Sequence, residues 1–328
     1  MAGTMSWSME EMADLAPRDV FGKTMLELAT KDDRIVALTP DLGLSTKLKD
    51  FARKFPEKFY DTGVTEQATV GIAAGMAACG LIPFVSTFAC FATMRACEQV
   101  RTDVTYPKLN VKIVGSHSGL SMGAGGTTHQ ATEDIAITRS MANMVVLVPS
   151  DTVQTVKLLE KAAEYDGPCY IRLIRGVESP VMIYEDVDSC PFEIGKAATI
   201  KEGGDITIIA AGSPVVQNSL VAAKALEEEG ISVRVIDMAS VKPIDKEAIV
   251  KAASETKGII TVEDHNIIGG LGGAVAEVLS EEHPAPLKRL GLPDIYSTIG
   301  PPQELWEKYG IDEKSVAGTV RDFLKAHS

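Results

Sequence analysis

The 328-residue sequence predicts two α/β domains, each a doubly wound, mainly parallel sheet, the second smaller than the first. Three observations carry this. Short apolar runs alternate with longer stretches of helical spacing along the whole chain. The runs are continuously apolar rather than alternating, which is the pattern of strands buried on both faces by crossover helices. The length exceeds one typical core, and two domains follow.

In chain order, the strands of the first set are "RIVALTPD", "LIPFVST", "VKIVGSHSG", "MVVLVPS" and "CYIRLI". Most end in Gly, Pro or a small polar residue. Val153 to Glu164 reads as a helix between the last two. The rhythm fails near "ESPVMIYEDVDSCPFEIG", where two prolines and a cluster of acids read as a linker. The second set comprises "DITIIAAG", a helix from Val215 to Glu229, "ISVRVIDM", a helix from Asp245, "GIITVEDH", a glycine-rich turn with its helix, "PLKRLGL" and a final helix to Lys325. The expected division is a first domain over 1–180, a linker over 181–194 and a second domain over 195–328. In such sheets ligands gather beyond the carboxyl ends of the strands.

Composition narrows the function. A net charge of −13 makes nucleic acid and anionic membrane poor partners. The 45% apolar content is that of a globular protein. Five cysteines, at 79, 90, 97, 169 and 190, form no CxxC pair. Reduced thiols in a cytoplasm fit them best. The N-terminal residues lack the basic start and apolar run of a signal peptide. Residues 67–94 carry no charge, long enough to span a bilayer, but Gly80 and Pro83 break the stretch into helix, turn and strand.

One stretch poses the chemical question. In "DTGVTEQATVGIAAGMAACG" a single carboxylate, Glu66, opens a helix of small apolar residues that reads as buried all round. A buried carboxylate is costly unless something specific meets it. An acid favoured by the helix macrodipole is the plainer explanation. Two histidines, His117 and His129, bracket the glycine-rich loop "HSGLSMGAGGTTH", where backbone can approach a ligand closely. The loop has no Cys, Asp or Glu to complete a metal site, so none is expected on this chain. Neutral imidazoles serving as proton carriers or hydrogen-bond donors suit it better. Phe88 and Phe91 follow a strand end and are either core or an apolar wall for a flat ring. The glycines of "GGLGGAV" match neither GxGxxG nor a P-loop and read as a tight turn with close helix packing.

"GVTEQATVGIAAGMA", "STFACF" and "GSHSGLSMGAGGTTHQATEDIAITRSMANMVVLVPSD", in this order and spacing, resemble the pyrimidine-binding domain of transketolases. "VKPID" and "VEDHNIIGGLGGAVAEVL" resemble the transketolase C-terminal domain. The resemblance implies a thiamine diphosphate enzyme in which Glu66 meets the aminopyrimidine ring and sets its tautomer, while Phe91, supported by Phe88, stacks on it. Asp41, in the turn "PDLGLS", is implied on the cofactor side. Where the family commonly has a third aromatic, Met94 stands here. Arg18, Ser45, His117 and Arg175 match residues that hold a sugar phosphate. His129 matches a histidine at the sugar hydroxyls beside the reacting carbonyl. Gly125 replaces a frequent acidic residue that reads hydroxyl configuration.

No "GDG…N" motif for diphosphate and metal occurs in the sequence. The resemblance therefore implies an N-terminal transketolase partner subunit that holds the diphosphate with Mg2+ or Ca2+, in an α2β2 assembly. The expected activity is transfer of a two-carbon ketol unit from a ketose phosphate to an aldose phosphate. The alternative is a subunit of a deoxyxylulose-phosphate-synthase-like enzyme, or the beta subunit of a 2-oxo-acid dehydrogenase. The covalent donor, ketose phosphate or pyruvate, distinguishes the two.

Overall fold

The computed structural model describes Met12, residues 15–176 and residues 182–327. The expected boundary at residues 180 and 181 lies outside the described residues.

The first sheet is built from β1 (Ile35–Thr39), β2 (Phe59–Asp61), β3 (Ile82–Phe88), β4 (Lys112–Ser116), β5 (Val145–Leu147) and β6 (Cys169–Arg172). Every residue of β1, β3, β4, β5 and β6 is buried, the polar Lys112 and Arg172 included, as in strands covered on both faces. All pair in parallel. The helices are α1 (Pro17–Lys31), α2 (Lys49–Lys54), α3 (Glu66–Ala78), the short α4 (Cys97–Gln99), α5 (Asp134–Ser140) and α6 (Thr152–Glu164). Between β3 and β4 the chain runs through π-helical turns, Phe91–Arg95 and Val100–Thr105, on either side of α4. Among the described residues no helix is long and apolar enough to cross a membrane. The uncharged stretch 67–94 divides between α3, β3 and the first π-turn.

The later strands are β7 (Ala198–Lys201), β8 (Ile206–Ala211), β9 (Val233–Asp237), β10 (Ser240–Lys242), β11 (Ile259–Asn266) and β12 (Leu287–Leu292). All but β10 form the second sheet, which is parallel except for the edge strand β7. Its helices are α7 (Val215–Glu227), α8 (Lys246–Glu255), α9 (Leu271–Glu281), α10 (Pro302–Lys308) and α11 (Glu313–Ala326). Asp151 caps α6 and Asp245 caps α8, each carboxylate accepting a first-turn backbone N–H.

The structure adds two features to the expected fold and corrects one expectation, the burial of α3. β10 leaves the second unit and adds antiparallel to β5, so the first sheet has seven strands ordered β10-β5-β6-β4-β3-β1-β2. The segment read as a linker packs on the first core: Tyr184, Cys190 and Phe192 are buried there, and the Tyr184 hydroxyl donates to Asp237 at 2.7 Å. Helix α3 is not buried all round. Glu66, Thr69, Val70, Ala73 and Ala74 face inward, but Ala68, Ile72 and Gly75 are exposed. Small apolar composition marks a surface that something must cover, and here one stripe of it lies on the outside of this chain.

The strand order positions the site. From β1 the chain crosses to β2 on one side and then to β3 on the other. That reversal opens a crevice beyond the carboxyl ends of the strands. Asp41 and Ser45 follow β1, Glu66 follows β2, Phe88 and Phe91 end and follow β3, His117 follows β4, and Arg175 follows β6.

Candidate active site

Two groups of side chains meet at this crevice. The first is built around Glu66, which opens α3 and is only 6% exposed. Its Oε1 accepts from Nη1 of Arg95 at 2.8 Å. The Arg95 guanidinium also lies 3.9 Å from the centroid of the Phe91 ring. Phe91 stacks against Phe88, centroids 5.7 Å apart and planes 22° apart. His129 presents an edge to Phe91 at 5.3 Å. The aromatic pair is therefore a wall with a carboxylate at its rim.

The second group centres on His117. Its backbone is left-handed, with φ 58°, an uncommon conformation for a residue with a side chain. Asp41 is left-handed as well, with φ 63°. Nε2 of His117 lies 3.2 Å from Arg18 Nη1, and Nδ1 lies 2.9 Å from Ser116 Oγ. Arginine only donates, so Nε2 accepts and Nδ1 carries the proton, donating it to Ser116. Ser116 in turn donates to the Thr87 carbonyl at 3.3 Å. The direction of every bond in this chain is thus set by Arg18. Burial, and then the charges of Arg18 and Arg175, push the His117 imidazole down to about 3, so it is neutral at physiological pH.

Arg18 also donates to the Ser45 carbonyl at 3.3 Å, so Ser45 joins the group through its backbone. Arg175 donates to the Met122 carbonyl at 3.3 Å. Arg18 and Arg175 line one cavity of about 320 Å³, with Gly123 and, from the second unit, Pro302. Phe88 joins the two groups, its ring 4.1 Å from His117 and 6.3 Å from His129. Asp41 is exposed and anchored by its backbone N–H to the Asp61 carboxylate at 3.0 Å. Its neighbour Leu42 packs on the aromatic wall. A side chain at Gly125 would run into the Met122 side chain, so the missing acid and the position of Met122 go together. Met94 is exposed beside Arg95.

The loop that carries both histidines is held from the second unit. The Asp264 carboxylate accepts the Leu120 N–H at 3.1 Å on each oxygen. A Cβ on Gly119 would overlap that carboxylate, and φ there is +56°, so only glycine fits. Arg172 bridges from below, pairing with Asp134 at 2.8 Å and donating to the Ala131 and Asp264 carbonyls. Ser297 donates to the side chain of Gln130, next to His129. The glycine turn before α9 does not offer its N–H groups to a phosphate. The Glu263 carboxylate takes those of Leu271 and Gly272 at 2.7 and 2.8 Å.

Sequence reasoning missed Arg95, Ser116 and Asp264. Arg95 marks the end of the uncharged run, and that isolation was its one signal. A larger cavity of about 750 Å³ opens near Arg34, Ile35 and Ile82, at the amino ends of the strands and away from these groups.

The chain resembles known proteins along nearly its whole length. Residues 13–177 match the family model for the transketolase pyrimidine-binding domain, and residues 195–316 that for the transketolase C-terminal domain. A transketolase C-terminal section from Methanocaldococcus jannaschii is 44% identical over 309 residues, covering 94% of this chain and 96% of that protein. One of the subunits of the apulose-4-phosphate transketolase from Phocaeicola vulgatus is 44% identical over 311 residues, covering 95% and 98%. A solved split-gene transketolase, described as an inactive β4 tetramer, is 46% identical with a TM-score of 0.86, covering 96% of this chain and 99% of that one. Its two matched domains and its near full-length similarity to these proteins place the chain in the transketolase family.

Proposed function

We propose that the chain is the C-terminal subunit of a split, thiamine diphosphate-dependent transketolase that moves a two-carbon ketol unit between phosphorylated sugars. The observation that carries this reading is the Glu66–Phe91 seat. Arg95, a planar nitrogen-rich group, already lies across the Phe91 ring with an N–H on Glu66. The seat therefore accepts a flat group bearing an edge nitrogen, which an aminopyrimidine is. Glu66 and Phe91 would hold that ring, with Phe88 behind and His129 at the edge. When bound, thiamine diphosphate supplies the nucleophilic carbon and electron sink for cleaving a bond beside a carbonyl.

The chain's own residues have separate tasks. Glu66 would share a proton with the ring's edge nitrogen. Its burial would keep water from competing for that proton. His117 is neutral, fixed in one tautomer and beside Arg18, suited to orient a substrate oxygen. His129 presents its edge to both rings of the aromatic wall, where substrate hydroxyls would pass. Arg18 and Arg175 face one cavity, and their guanidinium forks suit a phosphate. Two arginines there favour a sugar phosphate over a simple 2-oxo acid. Ser45 and Asp41 flank these groups from the β1 turn.

Exposed apolar side chains near the site support a partner subunit, which this reading sets in an α2β2 assembly. Leu44, Val64, Ile72, Met94, Tyr296 and Ile299 are all exposed, each close in sequence to a residue of one of the two groups or to the loops that hold them. The partner would hold the diphosphate and its Mg2+ or Ca2+. The chain divides within 181–194 in this reading. Purified alone, the chain should bind no substrate productively. Addition of the partner, thiamine diphosphate and magnesium should restore ketol transfer. Robust turnover by this chain alone would sink the split-enzyme reading.

A further inference from the structure

We infer that Arg95 is a resident mimic of the aminopyrimidine, seated where that ring must go, and that cofactor binding requires its displacement. The inference rests on the thiamine diphosphate reading above. Two contacts define the ring's seat in that reading: a face on Phe91 and an edge nitrogen on Glu66. Arg95 makes both. Its Cζ is 3.9 Å from the Phe91 centroid, within cation–π range, and its Nη1 donates to Glu66 Oε1 at 2.8 Å. A guanidinium is planar and carries donors in its plane, so stacking and edge donation come together. Two planar groups cannot share one ring face and one carboxylate oxygen in the same geometry.

Position makes the exchange feasible. The Arg95 side chain is half exposed, 51% by area, whereas Glu66 is enclosed. A swing of Arg95 toward solvent leaves its own charge hydrated while the Glu66 carboxylate receives a new donor. With no such donor, Glu66 would be a buried charge without a partner, which is costly. Arg95 thus keeps the carboxylate paired while the seat is empty and competes with the ring for it. Competition of this kind lowers the apparent affinity by the fraction of chains in which the seat is open.

The experiment measures thiamine diphosphate binding by calorimetry, with magnesium, to the complex of this chain and its partner subunit. Arg95→Ala should tighten binding by about threefold to thirtyfold, the sum expected of a half-exposed ion pair and a cation–π contact. Without cofactor the same variant should melt at a lower temperature than wild type, because Glu66 has lost its partner. These opposite signs set the inference apart from a structural role, in which both affinity and stability would fall. Arg95→Lys keeps the charge but not the planar stack and should show a smaller tightening, so the test survives a poorly folding alanine variant. Wild-type binding with unchanged or weaker affinity in both variants would overturn this inference alone. No binding by wild type would overturn it together with the proposed function.

Discussion

Arg175→Ala isolates the phosphate assignment. Arg175 and Arg18 line one cavity of about 320 Å³, and the Arg175 side chain donates to the Met122 carbonyl at 3.3 Å rather than to a carboxylate. Its removal therefore leaves no buried charge unpaired, and the fold should tolerate it. A charge-assisted hydrogen bond contributes about 1.5–3 kcal/mol. The cavity is open to solvent, so screening puts the loss near the lower end, and about 1.4 kcal/mol is a factor of ten in KM. Steady-state kinetics of the reconstituted complex should show KM raised about tenfold for a ketose phosphate and little changed for the same ketose without phosphate. The kcat for both should stay within a small factor. Equal KM losses on both substrates, or a loss confined to kcat, would refute the role. Arg18→Ala should behave differently, because Arg18 also fixes the His117 tautomer at 3.2 Å. There the unphosphorylated ketose should suffer as well.

Two further outcomes follow from the buried groups. An unfolded imidazole titrates near 6.5, while His117 in the fold titrates near 3. Between those values the unfolded chain takes up a proton that the folded one refuses, so the stability His117 provides above about pH 6.5 is lost as pH falls toward 3. NMR of labelled histidine should show a neutral His117 ring from pH 8 down to about 5, and a titration near 6.5 would contradict the arrangement. Arg172→Met leaves the fully buried Asp134 without its ion-pair partner and cuts two bonds to carbonyls on either side of the domain junction. Denaturant unfolding should register a loss of about 3–5 kcal/mol, whereas a loss under about 1 kcal/mol would show that the junction does not depend on this pair.

Much of the fold was legible because its strands are buried on both faces. "RIVALTPD", "CYIRLI" and "DITIIAAG" announce themselves as apolar runs, and each became a strand. β10 could not be read in this way. Three residues followed by Pro243 carry no periodic signal, and the pairing with β5 joins positions nearly a hundred residues apart. The packing of the linker was not legible because its prolines and acids mask Tyr184, Cys190 and Phe192. At the site, Glu66 stood out as a lone carboxylate and His117 as a histidine on a glycine-rich loop, whereas Arg18, Arg175 and the stacking role of Phe91 came only from the resemblance to transketolases. Arg95 did not, since an arginine in a helical segment looks like any solvated charge until its neighbours are known. Composition also overstated the burial of α3. Small apolar residues such as Ala68, Ile72 and Gly75 mark a surface to be covered, but not whether the same chain or another covers it.

The central claim is that Glu66 exists to meet a cofactor ring and not merely to favour a helix N-terminus. If the macrodipole were its whole role, Glu66→Gln would cost about 0.3–1 kcal/mol of stability and leave activity intact. An amide cannot share a proton with the ring nitrogen as a carboxyl group does. The decisive measurement is hydrogen–deuterium exchange at the thiazolium carbon of thiamine diphosphate in the reconstituted complex, wild type against Glu66→Gln at matched cofactor occupancy. Exchange should slow by several orders of magnitude in the variant, while unchanged exchange would contradict the account.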